Sequence, residues 1–71
     1  MSLQEETPAN VAEEMFRQSP YHPLRELKCR FCDGVLIISG SLPSFYLKQL
    51  AQSAARRIQG VERIDNRVEV G

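Results

Sequence analysis

The sequence predicts an α+β domain of element order α-β-β-α-β, a two-layer sandwich with two helices on one face of a three-stranded mixed sheet. Three observations support this prediction: an Asp-Gly pair between two short alternating segments, a helical apolar repeat after them, and a last alternating segment. With 71 residues the chain has room for one domain and one hydrophobic core.

Residues 1–9 are expected to form a flexible acidic leader, and residues 10–71 a single domain. The leader is polar and lacks both the basic region and the apolar region of a secretory signal. The chain as given is therefore expected in the cytoplasm. The alternative is the periplasm or envelope, if an upstream signal is missing.

A first helix is predicted after the leader. Asn10 and Glu13 have the spacing of an N-capping box, and a start with Thr7 as the cap and Pro8 in the first turn is the alternative. Pro20 ends this helix, because it disfavours the helical conformation in the residue before it. Residues 21–23 are expected to form a connecting loop.

The Asp33-Gly34 pair predicts a two-residue hairpin turn of type I′, which requires positive φ at both positions. Counting outward from the turn pairs Cys32 with Val35 and Arg30 with Ile37. Alternation along the strands then separates two faces. The expected core face carries Leu27, Cys29, Phe31, Leu36 and Ile38, and the opposite face carries Lys28, Arg30, Cys32, Val35 and Ile37.

A second helix is predicted from Ser41 to Gln59, with a hydroxyl cap at Ser41 or Ser44 and a C-terminal cap at Gly60. Its apolar stripe comprises Leu47, Leu50, Ala51, Ala54 and Ile58. A final strand follows with alternating Ile64, Val68 and Val70. A right-handed crossover makes the second and third strands parallel neighbours in the order 1-2-3. The alternative is an antiparallel sheet with the first strand between the other two.

Residues 24–71 resemble the BON domain, a small module of bacterial osmotic-shock, periplasmic and nodulation proteins. The resemblance is carried by Asp33-Gly34, an apolar strand ending in Ser39-Gly40, the alanine-rich helix, Gly60-Val61, and the last strand with Asn66. It implies a non-catalytic binding module whose partner is a phospholipid surface or another protein. It supplies no catalytic residue and no cofactor.

Two surfaces are candidate binding sites. On the second helix, Phe45, Lys48, Gln52 and Arg56 form a polar stripe with an aromatic residue at one end, a pattern that suits anionic lipid headgroups or a protein partner. On the sheet, Arg30, Val35, Ile37 and Arg67 lie on the face away from the helices. Exposed aliphatic side chains there predict a structural role through self-association into a homo-oligomer.

The spacing Cys29-x-x-Cys32 resembles a metal or redox motif, but both cysteines fall on one strand, three residues apart. Their side chains then point to opposite faces, so neither a shared metal nor a disulfide is expected. His22 is a lone loop histidine. Asn66 is expected to be a buried amide that satisfies backbone groups of a loop or strand edge.

No motif for catalysis is recognisable in the sequence, and the carboxylates are scattered. No enzyme activity is therefore expected. No aromatic RNA-binding signature is present either, so no nucleic acid partner is expected.

Overall fold

The computed structural model describes residues 7–71, and the α+β class and the mixed three-stranded sheet predicted from the sequence are confirmed. Of the expected leader, residues 1–6 lie outside the described residues, and Pro8 and Ala9 already belong to a helix. The elements in chain order are α1 (Pro8–Arg17), a 3₁₀ helix (His22–Glu26), β1 (Lys28–Cys32), β2 (Val35–Ser39), β3 (Ser41–Leu42), α2 (Phe45–Ala55), β4 (Arg63–Asn66) and β5 (Glu69–Val70).

The main sheet has the strand order β1-β2-β4, with β1 antiparallel and β4 parallel to the central β2. The alternative antiparallel arrangement is therefore wrong. The hairpin register is also confirmed, because Cys32 lies opposite Val35 and Arg30 opposite Ile37. Asp33 and Gly34 have φ values of 49° and 80°, the positive values that the tight turn demands.

The hydrophobic core lies between one face of this sheet and the helices. Its fully buried large side chains are Phe16, Leu36, Ile38, Leu42 and Val68. The small Ala12, Ala51 and Ala55 are also fully buried, which lets both helices approach the sheet closely. Phe31, expected in the core, is half-buried at the edge strand β1 and packs against the core from its rim.

The first helix starts earlier than the expected capping box at Asn10. Thr7 is the cap: its Oγ1 accepts a hydrogen bond from the Asn10 backbone N–H at 3.2 Å, and Pro8 occupies the first turn. Glu13 does not reach back to the cap. Its carboxylate instead accepts a hydrogen bond from the backbone N–H of Cys29 at 2.7 Å, which joins α1 to β1. The long-range contact overrides the local capping pattern.

The second helix is shorter than predicted at both ends. Ser44 is its cap and accepts from the Leu47 backbone N–H at 3.2 Å, while residues Ser41–Leu42 pair with Glu69–Val70 as a small parallel ribbon. Leu42 in this ribbon is almost completely buried. The chain leaves the helix after Ala55 through turns that run to Gly60.

Two further expectations need correction. Residues His22–Glu26 form a 3₁₀ helix where a loop was expected from residue 21 to 23, and this helix buries Leu24 in the core. The single last strand is divided into β4 and β5: Arg67 and Val68 belong to neither strand, although the Arg67 backbone N–H still donates to the Ile38 carbonyl at 2.8 Å. Val68 turns fully into the core, whereas Val70 remains 42 % exposed.

Candidate binding surfaces

The four residues predicted on the second helix lie along one side of α2, and we call them the α2 surface: Phe45, Lys48, Gln52 and Arg56. Phe45 is the first helical residue and is 60 % exposed, unusually high for a phenylalanine in a small domain. Arg56 follows the last helical residue but keeps helical dihedral angles, so it continues the same line. Lys48 and Gln52 are half-buried between these ends.

Asn66 of β4 fixes the middle of the α2 surface. Its Nδ2 donates to the Lys48 backbone carbonyl at 3.1 Å and to Gln52 Oε1 at 3.2 Å. Its Oδ1 accepts from the Val68 backbone N–H at 3.2 Å. The expected role of this amide, satisfying backbone groups near a strand edge, is confirmed, but Asn66 is half-buried and not buried as expected. The same bonds hold α2 against β4. The hydrogen bond to Gln52 also fixes the position of its side chain.

Two tyrosines extend the aromatic end of α2. Tyr46 is 62 % exposed and Tyr21, which precedes the 3₁₀ helix, is 41 % exposed. A hydrogen bond to the Tyr21 side chain, followed by the charge of that group, raises the pKa of Tyr46. Tyr21 lies 25 positions from Tyr46, and no local sequence signal connects them. With Phe45, these tyrosines place three exposed aromatic rings around the start of α2.

The residues predicted on the sheet lie on its uncovered side, and we call them the open sheet face: Arg30, Val35, Ile37 and Arg67. Arg30 and Arg67 are exposed, and Arg67 Nε donates to Asp65 Oδ2 at 2.9 Å. Val35 and Ile37, on the central strand, are only half-buried, because both helices pack on the opposite side. The exposed Lys28 and Arg63 share this side with them, so two aliphatic side chains lie among several basic ones.

The two cysteines point to opposite faces of the sheet, as the strand register predicts. Cys29 is buried and Cys32 is exposed. Burial, and after it the negative charge of Glu13, raises the pKa of the Cys29 thiol to about 12. Among residues 7–71, no group of three or more histidine, cysteine or acidic side chains is placed to hold a metal ion.

A groove of about 340 Å³ lies between the end of α2 and the beginning of β4. It is lined by Gln52, Arg56, Val61, Glu62, Arg63 and Ile64. The sequence did not predict this groove, because it forms only when the crossover places β4 beside α2. Two members of the α2 surface, Gln52 and Arg56, are also part of its wall.

Within the described part of the chain, no helix has both the length and the apolar character needed to cross a membrane. A comparison with family models matches the BON domain over residues 9–71, and no curated protein matches the chain. Domains of this family are generally non-catalytic binding modules and occur in periplasmic and membrane-associated proteins. Since the match covers nearly all of the sequence and the fold agrees with it, the chain belongs to the BON domain family.

Proposed function

We propose that this domain binds anionic phospholipid surfaces through the α2 surface. The observation that carries the proposal is the position of Phe45, a 60 % exposed aromatic ring in line with Lys48 and Arg56. An apolar group that protrudes beside cations matches the boundary between acyl chains and anionic headgroups. Tyr46 follows Phe45 in α2 and interacts with Tyr21, so two more exposed rings lie near the same end of the helix, and tyrosine is favoured at the same boundary.

The expected energies favour a reversible contact. Complete burial of a phenylalanine side chain stabilises by about 1.5–3 kcal/mol, and a basic residue near an anionic bilayer contributes about 1 kcal/mol. Phe45 is therefore the largest single contributor, with Lys48 and Arg56 adding selectivity for negative lipid. Gln52 is held by Asn66 and serves mainly to keep the helix in place.

Co-sedimentation with vesicles tests this proposal. Vesicles of equal parts phosphatidylglycerol and phosphatidylcholine should retain the protein, and phosphatidylcholine vesicles should retain much less. Added salt should weaken the binding, because it screens the headgroup charge. Phe45→Ala should lose most of the bound fraction. Equal retention by both vesicle types, or by neither, would contradict the proposal.

Arg56 and Arg57 offer a matched pair of variants. Both are exposed and neither forms an ion pair within the described residues, but Arg57 faces a different groove beside Pro8 and Val11 of α1. Arg56→Glu and Arg57→Glu change the net charge equally. We expect only Arg56→Glu to reduce vesicle binding strongly. A similar loss in both variants would show that overall charge, and not the α2 surface, governs binding.

We also propose, as a second candidate, self-association through the open sheet face. The supporting observation is that Val35 and Ile37 lie side by side on the central strand with no helix over them. The basic side chains around them oppose a symmetric contact, because two identical faces bring like charges together. Light scattering over a concentration series tests this candidate. A monomer at every concentration, unchanged by Ile37→Lys, would eliminate it.

A further inference from the structure

The strand β4 pairs with β2 on one side only and forms an edge of the main sheet. Arg63 and Arg67 direct their backbone N–H groups toward β2, donating to the carbonyls of Gly34 at 3.1 Å and Ile38 at 2.8 Å. Because successive peptide groups of a strand point to opposite sides, the N–H and C=O groups of Ile64 and Asn66 point outward. These groups form a short template for a further strand.

The opposite edge of the sheet is partly covered. Helix α1 packs against β1, and the Glu13 carboxylate accepts the outward N–H of Cys29 at 2.7 Å. A carboxylate at that position competes with any incoming strand for the same donor. The β1 edge is therefore blocked at Cys29, whereas no hydrogen bond within the described residues occupies the outward backbone groups of Ile64 and Asn66 on β4.

The groove between α2 and β4 lies directly beside this open edge. Val61 and Ile64 supply apolar surface to it, and Arg56 and Gln52 form the wall on the helix side. Side chains of a strand added to β4 would alternate between this groove and the open sheet face. Strand addition with pockets for alternate side chains is a recurrent mode of peptide recognition.

The charged side chains around β4 indicate what kind of polypeptide segment this edge would bind. Arg56 in the groove and Arg63 on the open side both lack an ion-pair partner among residues 7–71. Arg67 is already paired with Asp65. Glu62 also lines the groove, but its side chain lies against Gly34 of the hairpin turn and forms no ion pair with Arg56 or Arg63. The two unpaired guanidinium groups flank the edge on its two sides, and carboxylates are their natural partners.

We propose that β4 is a docking edge for an extended acidic segment of a partner polypeptide, which adds to the sheet as a fourth strand. Backbone hydrogen bonds to Ile64 and Asn66 hold the segment. Acidic side chains on its two faces meet Arg63 and Arg56, and small aliphatic side chains contact Val61 and Ile64. This protein contact goes beyond the proposed lipid contact and does not depend on it.

A second copy of the chain fits this edge less well. In a symmetric dimer the β4 strands of the two copies would pair antiparallel. The register that bonds all their outward backbone groups places Ile64 of one copy opposite Asn66 of the other. It therefore puts Arg63 against Arg67 and Asp65 against Asp65 of the other copy. Like charges directly opposite each other destabilise a strand pair.

The test uses the full chain labelled with ¹⁵N and a synthetic peptide of repeated glutamate-glutamate-valine-valine units, which places glutamate and valine on both faces of a strand. We expect the amide resonances of Ile64 and Asn66 to shift on titration, and their hydrogen exchange to slow by about tenfold or more at saturation. A matched peptide with lysine in place of glutamate should not bind. A glutamate–valine peptide methylated on alternate backbone nitrogens, which cannot complete the ladder, should bind at least about tenfold more weakly.

Arg63→Glu and Arg30→Glu form the matched pair of variants. Both arginines are exposed on the open side, at opposite edges of the sheet. Only Arg63→Glu should weaken peptide binding, by about tenfold or more. Equal weakening in both variants would place the peptide on the sheet face and overturn the proposal. Undiminished binding of the methylated peptide would overturn it too.

Two other outcomes would also reject strand addition by an acidic segment. If the Ile64 and Asn66 amides shift with protein concentration alone, the edge serves a second copy. If they shift only with phosphatidylglycerol vesicles, the edge belongs to the lipid contact. Since vesicle binding is measured separately with Arg56→Glu and Arg57→Glu, failure of either proposal leaves the other testable.

Discussion

The two faces of the main sheet differ in what they contribute. The covered face is mostly apolar: Leu36 and Ile38 are fully buried, and both the amide nitrogen and the amide oxygen of Asn66 form hydrogen bonds. The open face has half-buried Val35 and Ile37 among exposed arginine and lysine side chains. The comparison indicates that the covered face supplies stability. The open face and the sheet edge beside it remain available for contacts.

The cysteines give the sharpest contrast between the faces. A thiol with a pKa of about 12 has about a thousandfold less thiolate near neutral pH than one with the ordinary value of 9.0. We expect a thiol reagent at pH 8 to modify Cys32 rapidly and Cys29 only in denaturant. Mass spectrometry after timed quenching checks this, with Cys32→Ser as the control. Rapid modification of both cysteines in the native protein would contradict the assignment of faces.

The same raised pKa makes stability depend on pH in alkaline solution. Above pH 9 the Cys29 thiol ionises in the unfolded chain but stays protonated in the folded one until about pH 12. The unfolded state is then favoured by up to about 1.4 kcal/mol per pH unit. Urea denaturation of the parent chain and Cys29→Ala should show that the parent loses more stability between pH 9 and pH 11. Equal losses would show that Cys29 is accessible to solvent.

Neighbouring isoleucines test the packing difference. Ile38 is fully buried, and Ile38→Ala should reduce the free energy of unfolding by about 2–5 kcal/mol, because it removes core contacts and leaves a cavity. Ile37 lies on the open side, so Ile37→Ala should cost clearly less. Urea denaturation measures both variants. Equal costs would mean that the open face carries as much of the stability as the covered one.

Asn66 is the polar exception on the covered side. Asn66→Ala removes the hydrogen bonds to the Lys48 carbonyl and to Gln52, and leaves the Val68 N–H without its acceptor. A buried unsatisfied group costs about 1–3 kcal/mol, and we expect a loss in this range. Thermal or urea denaturation provides the measurement. A matched Asn10→Ala on the exposed side of α1 should have little effect.

The local chemistry of the chain predicted the covered face well. The Asp33-Gly34 turn determines the hairpin register, and the register alone separates Cys29 from Cys32. The ends of the helices were less predictable, because tertiary contacts decide them. Glu13 bonds to Cys29 instead of capping α1, and Leu42 pairs with β5 instead of starting α2.

The residues of the α2 surface were predictable as a helical stripe, and their common position on α2 follows from that spacing. The groove beside β4 and the contact between Tyr21 and Tyr46 were not predictable, because each joins segments that lie far apart in the sequence. A single sequence contains the periodicity of each element. It does not state which distant elements meet at the rim of the core.

Single-tryptophan variants test the central claim, binding of lipid through the α2 surface, most directly, since the chain contains no tryptophan. Phe45→Trp and Ile37→Trp place the same reporter on the α2 surface and on the open sheet face. With vesicles of phosphatidylglycerol and phosphatidylcholine, we predict a blue shift of the emission for Phe45→Trp and no shift for Ile37→Trp. A blue shift for Ile37→Trp alone would contradict the account and place the lipid contact on the sheet.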